Sequence, residues 1–144
     1  MGIDIKQQDI IFLDTAPFIY FFEKHETYFK VLNNFFHEVY SSGAQIITTL
    51  ITYIELITLP ARQKDTRLVN KYRNYLSHSG NINLLPLDIT IADEVVRLRA
   101  KYGLKTHDAI QLATAITVGA DYVITSDKKW KSIKGLNVLL VSEL

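Results

Sequence analysis

Five short runs rich in β-branched and apolar residues punctuate this 144-residue chain, and the first four are separated by stretches whose apolar residues recur at helical spacing. Neighbouring strands joined through helices pair in parallel, because a parallel crossover needs about a dozen residues or more. The pattern therefore predicts an α/β domain on a mostly parallel sheet. The runs are residues 9–13, 45–48, 83–87, 122–125 and 138–141. Pro86 assigns the third to a sheet edge, since proline cannot donate to a ladder.

Between the strands, Thr15 is expected to cap a helix with Pro17 in its first turn. Residues 26–40 carry Phe29, Leu32, Phe36, Val39 and Tyr40 on one helical stripe. Residues 52–59 read as a helix ended by Pro60, and 65–76 as a charged helix with Leu68, Tyr72, Tyr75 and Leu76 on one side. An amphipathic segment at 90–102 stops at Gly103, and Thr106 is expected to cap a last helix running to Val118. At about 150 residues per domain the whole chain, 1–144, reads as a single domain.

The chain holds no cysteine, which excludes disulfide scaffolds, zinc ribbons, iron–sulfur clusters and thiol nucleophiles. Any metal must use oxygen or imidazole ligands. The start, Met1 to Lys6, lacks a basic region before an apolar run, and the apolar stretch 10–22 is cut by Asp14 and Pro17 and is shorter than the about 20 residues that span a bilayer. A cytoplasmic protein with no membrane partner is expected.

The formal net charge of +1 conceals an asymmetry: residues 1–60 hold three lysines and seven acids, and the remainder thirteen lysines and arginines and eight acids. The cations fall into three groups, from Arg62 to Arg73, from Arg97 to Lys105 and from Lys128 to Lys134. Such groups either solvate helix faces or attract a polyanion such as RNA.

In parallel α/β sheets ligands bind beyond the carboxyl ends of the strands. Asp14 ends the first strand and Asp127 follows the fourth by two residues. Asp108 stands in the first turn of a helix, and Glu55 lies in a helix that begins shortly after the second strand, so four carboxylates can converge on one edge. Each also has a structural alternative: Asp14 as a cap, Asp108 as a complement to a helix dipole, Asp127 as a turn residue, Glu55 as a solvent-facing position. Together they would repel one another unless neutralised, which predicts a cation, and an all-oxygen set favours Mg²⁺ or Mn²⁺. Asp121 precedes its strand and is expected at the opposite edge in a structural role. His107 points about 100° around the helix from Asp108, which favours a surface or supporting role. Phe29, Phe36, Tyr72 and Tyr75 fall at core spacing rather than as base-stacking platforms.

Four stretches then resemble a known family. They are Ile11-Phe12-Leu13-Asp14-Thr15, Thr52-Tyr53-Ile54-Glu55-Leu56, His107-Asp108-Ala109-Ile110-Gln111-Leu112-Ala113, and Gly119-Ala120-Asp121-Tyr122-Val123-Ile124-Thr125-Ser126-Asp127. In this order and spacing they are similar to PIN-domain ribonucleases, most of all the VapC-type toxins of toxin–antitoxin pairs. The resemblance implies a three-layer α/β/α sandwich with Asp14, Glu55, Asp108 and Asp127 as an acidic quartet holding Mg²⁺ or Mn²⁺. It also implies endonucleolytic cleavage of RNA, a homodimer, and a cognate antitoxin protein covering the cleft. Ser126 stands where asparagine is frequent, Trp130 near where phenylalanine is usual, and residues 1–9 form a longer lead than the family's.

The chemistry expected from these readings is metal-assisted hydrolysis of a phosphodiester. Thr15 and Ser126 are expected to orient the carboxylates by hydrogen bonds, and Lys128, Lys129, Arg62 and Arg67 to hold the RNA backbone. The alternative is a PIN-like module that binds RNA or protein without cutting. A phosphoacceptor receiver domain would want two adjacent acids after the first strand, and Leu13-Asp14 offers only one.

Overall fold

The structure, a computed structural model, describes residues 3–144. Five strands, β1 (Ile10–Leu13), β2 (Gln45–Thr49), β3 (Ile82–Leu85), β4 (Tyr122–Thr125) and β5 (Val138–Leu140), form one sheet in the order β3-β2-β1-β4-β5, with every pairing parallel. Six helices connect the first four strands: α1 (Thr15–Phe22), α2 (Phe29–Ser42), α3 (Leu50–Arg62), α4 (Thr66–His78), α5 (Ile89–Tyr102) and α6 (Thr106–Thr117). Short 3₁₀ turns cover Lys128–Ser132 and Val141–Glu143.

The period-two geometry of β1 explains the layering. Ile11 and Leu13 point into a core shared with Phe18, Leu32, Phe36, Leu56 and Leu76, the buried faces of α1 to α4. Phe12 points the other way, into a core with Ile91, Leu98, Leu112, Val123 and Trp130, from α5, α6, β4 and the 3₁₀ turn. All of β1 beyond Ile10 is fully buried. The domain is therefore the three-layer α/β/α sandwich expected from the resemblance.

The chain winds outward from β1 to β2 and β3 and then returns across the sheet to β4 on the other side of β1. That reversal opens a crevice between the carboxyl ends of β1 and β4, where loops diverge in opposite directions.

Several boundaries differ from the sequence reading for local reasons. Pro60 does not end its helix: α3 runs on to Arg62, because a proline so near a helix C-terminus removes a single ladder bond. Pro86 lies just beyond β3, which is nevertheless an edge strand. The second helix starts at Phe29, since His25 Nδ1 accepts from the amides of Thr27 and Tyr28 at 3.1 and 3.3 Å and holds the preceding residues in a turn. Neither Thr15 nor Thr106 is a cap; Asp14 and Lys105 occupy those positions.

Residues 1 and 2 of the N-terminal lead lie outside the described residues. The rest of it is docked: Ile3 and Ile5 pack on the α2 side of the core, and Tyr122 Oη donates to the carbonyl of Asp4 at 3.3 Å. No helix among the described residues is long and apolar enough to cross a membrane.

Candidate active site

Asp14 occupies the crevice because β1 ends there and α1 begins. Its extended backbone makes it the N-cap of α1, and Oδ1 accepts the amide of Thr15 at 2.8 Å. The same oxygen accepts from Gln111 Nε2 at 3.3 Å, and Oδ2 accepts from Thr125 Oγ1 at 2.7 Å. Capping and a role in the cleft are thus compatible in one carboxylate. Burial raises its pKa above the usual carboxylate range, hydrogen bonds from Thr125, Thr15 and Gln111 oppose the rise, and the negative charge of Asp108 adds to it.

Glu55 projects from α3 at an exposed position. Its pKa is also raised, first by partial desolvation and then by the charge of Asp14, with Asp108 contributing less. His107 and a hydrogen bond from Thr15 work against the rise. Asp108, in the first turn of α6, has His107 Nε2 3.5 Å from its Oδ1. The imidazole is therefore a neighbour of the acidic group.

The fold thus brings Asp14, Glu55 and Asp108 within mutual electrostatic range. Asp127 stands slightly apart: its Oδ1 accepts from the amide of Lys129 at 2.9 Å, and it is not among the charges acting on Asp14 or Glu55. It joins Asp108 in the wall of a neighbouring cavity that Lys129 also borders. Lys128 is exposed beside it, while Arg62 and Arg67 are exposed at the end of α3 and the start of α4. Asp121 lies at the opposite sheet edge as expected, its Oδ2 accepting from the amide of Ile10 at 2.8 Å.

Beneath the carboxylates runs a buried neutral network. Thr52 Oγ1 accepts from Thr48 Oγ1 at 2.8 Å and from Gln111 Nε2 at 2.8 Å, and lies 3.1 Å from Thr15 Oγ1. Thr49 Oγ1 donates to Gln111 Oε1. Thr15 Oγ1 joins this network and lies beside Glu55, whose rise its hydrogen bond opposes. Contrary to expectation, Ser126 orients no carboxylate: its Oγ is buried without a partner, because the strand end turns Thr125 toward Asp14 instead. Sequence reading missed Gln111 and Thr125. The signal for Gln111 was present, a lone amide inside the apolar run from Ala109 to Ala113, where a buried polar side chain demands a partner.

The donor chemistry suits a hard divalent cation, since oxygen ligands whose charges repel one another are relieved by one. Among the described residues, however, no three acidic or imidazole side chains stand close enough to form a ready ligand shell.

A model of the PIN domain matches residues 11–136. This chain belongs to the PIN domain family. No curated protein is similar enough to this PIN domain to count as a match. Among solved structures, a toxin–antitoxin complex from Klebsiella pneumoniae is 27% identical, with a TM-score of 0.70 over 93% of this chain and 99% of that one. VapBC2 of Rickettsia felis, bound to a DNA fragment from its promoter, shares the fold at 18% identity and a TM-score of 0.74, over 91% of this chain and 98% of the other. The Mycobacterium tuberculosis VapC20, a toxin that cleaves the sarcin–ricin loop, shares it at 13% identity and a TM-score of 0.66, over 85% of this chain and 93% of its own.

Proposed function

We propose that this PIN domain is a metal-dependent endoribonuclease, the toxin of a type II toxin–antitoxin pair, that hydrolyses RNA phosphodiester bonds at the cleft of Asp14, Glu55 and Asp108. The observation that carries the reading is the convergence of carboxylates from three separate elements at the sheet's switch point, where the charge of Asp108 adds to the burial that raises Asp14, and the charges of Asp14 and Asp108 add to the desolvation that raises Glu55. A purely structural cluster gains nothing from such repulsion.

Asp14, Glu55, Asp108 and Asp127 would hold Mg²⁺ or Mn²⁺, which when bound polarises a phosphoryl oxygen and acidifies water. The chain's own groups do the rest. Hydrogen bonds from Thr125 and Gln111 aim the Asp14 carboxylate and oppose the rise that burial imposes on it, and Thr15 steadies Glu55. Glu55, exposed at the cleft and with its carboxyl raised above the ordinary value, is placed to accept a proton from water. The lysines after Asp127, with Arg62 and Arg67, meet the phosphate backbone.

An antitoxin partner is supported by the similarity to toxin–antitoxin complexes. A homodimer is supported by exposed Leu50, Ile54, Leu87 and Ile89, which stand near one end of the sheet because Thr49 pairs with Leu85. A second copy would remove this apolar surface from water.

The test is cleavage of a mixed pool of structured RNAs with Mg²⁺, Mn²⁺ or EDTA, comparing the natural protein with Asp14→Asn. Cutting that requires metal and is lost in the variant is the expected result. RNA binding without metal-dependent cutting would replace this reading by the non-cleaving module.

A further inference from the structure

Two depressions flank the acidic centre, and they differ in chemistry. The one beside Glu55 measures about 100 Å³ and is walled by Ile19, Leu56, Leu59 and Pro60, with Glu23 as a second acid and no cation. The one beside Asp108 measures about 490 Å³ and places Asp108 and Asp127 together with Lys105 and Lys129, closed by Tyr102 and Ser132.

Neither Lys105 nor Lys129 is ion-paired with a carboxylate among the described residues. Two cations therefore share the second cavity with two acids while remaining available to an incoming anion. Lys105 stands three residues before Asp108 at the start of α6, and Lys129 stands two residues after Asp127 in the 3₁₀ turn, so each cation is tied by short, ordered chain to one acid. The Tyr102 wall is held at both ends: its Oη accepts from the amide of Lys134 at 3.3 Å, and Lys101 Nζ lies 5.3 Å from the ring centroid.

We propose that this cavity is a nucleotide subsite, in which Lys105 and Lys129 hold the RNA phosphate adjacent to the bond that is cut and Tyr102 walls the attached nucleoside. The inference rests on the ribonuclease reading and adds a direction to it. A strand whose scissile phosphate lies at the acidic centre continues toward α6 and the 3₁₀ turn, where cations await it. The depression beside Glu55, apolar and acidic, has no cation in its walls to hold the adjacent phosphate. The Lys105 and Lys129 contacts fix the register of the strand without reading bases.

The chain supplies its own reporter. Trp130 is its sole tryptophan and is buried in the turn that carries Lys129 and Ser132. The experiment titrates a 5′-labelled single-stranded RNA hexamer in EDTA, so that cleavage is silent, and reads label anisotropy for affinity and Trp130 emission for location. A parallel titration uses inorganic phosphate.

The natural protein is expected to bind the hexamer with a saturable change in Trp130 emission. The Lys105→Ala, Lys129→Ala double variant should bind about tenfold more weakly, with the slope of log affinity against log salt reduced by about 0.7, for the one phosphate no longer neutralised. The Lys105→Arg, Lys129→Arg variant should keep both values, and phosphate should compete with the hexamer. Unchanged affinity and slope in the alanine variant, no hexamer binding by the natural protein, or binding that leaves Trp130 silent would each overturn the subsite. Failure of the ribonuclease reading is separately visible: lysine-dependent binding without cleavage when Mg²⁺ or Mn²⁺ is restored removes the nuclease and keeps the subsite.

Discussion

Thr125 Oγ1 donates to Asp14 Oδ2 at 2.7 Å across 111 residues of sequence, joining the carboxyl ends of β4 and β1. The same hydroxyl accepts the amide of Asp127 at 3.1 Å, so one threonine aims Asp14 and anchors the turn that carries Asp127. Thr125→Val preserves shape and removes both bonds. It should cost about 1–2 kcal/mol of stability and lift Asp14 further, moving the acidic limb of the pH–rate profile upward. Thermal melts and that profile are the measurements; an unmoved limb would contradict the role given to Thr125.

Asp14 and Glu55 titrate above their ordinary values of 3.8 and 4.5. Between those values and the raised ones the folded protein binds more protons than the unfolded chain, so stability falls as pH rises through that window. The advantage is complete below the ordinary values and gone above the raised ones. Asp14→Asn keeps the cap and removes the charge. In EDTA it should melt about 2–4 °C higher at pH 7, as about 1 kcal/mol would produce, with a flatter fall in stability as pH rises above the ordinary carboxyl value. A lower melting temperature would show that Asp14 is not under repulsive load.

Gln111 is the buried junction between α6, Asp14, Thr49 and Thr52. Gln111→Leu strands those hydroxyls and should cost about 1–3 kcal/mol. Gln111→Glu is nearly the same size but sets a negative charge against Asp14, so it should be the less stable of the two at pH 7 and recover on acidification. Melting curves at pH 5 and pH 7 distinguish charge from volume; equal losses at both would leave packing as the explanation.

Asp121 and Asp127 flank the same strand and are assigned opposite roles. Asp121→Ala should cost about 1 kcal/mol through the unpaired amide of Ile10 and leave RNA cleavage intact below the melting transition. Asp127→Ala should reduce cleavage about tenfold or more, at a similar cost of about 1 kcal/mol for the Lys129 amide it leaves unpaired. Reversed phenotypes would exchange the assignments.

Much of this was legible because strand ends and helix starts are local events. Asp14 after Leu13 and Asp108 after Lys105 announce the edge on which they fall, and the alternation of strands with helices dictates parallel pairing. Glu55 was legible by incongruity, an acid among Ile54, Leu56 and Ile57. What escaped depends on side-chain direction at long range. Whether Thr125 or Ser126 turns toward Asp14 is decided by the pleat of β4, and it is Thr125 that does so. The convergence of Gln111 with Thr49 and Thr52 is set by how α6 lies over β2 and α3, which periodicity does not encode. Thr15 and Thr106 were each misplaced by one residue because Asp14 and Lys105 adopt the extended backbone that a cap requires.

The return of the chain from β3 to β4 also governs timing during synthesis. Asp14 leaves the ribosome early, yet its partners Gln111 and Thr125 follow 97 and 111 residues later. At roughly 5–20 residues per second, that is an interval of roughly 5–20 s in which a nascent chain carries the first carboxylate without the groups that aim it. Whatever chemistry the cleft performs is thereby withheld until β4 has been made, and a truncated product ending before that strand is inert by construction.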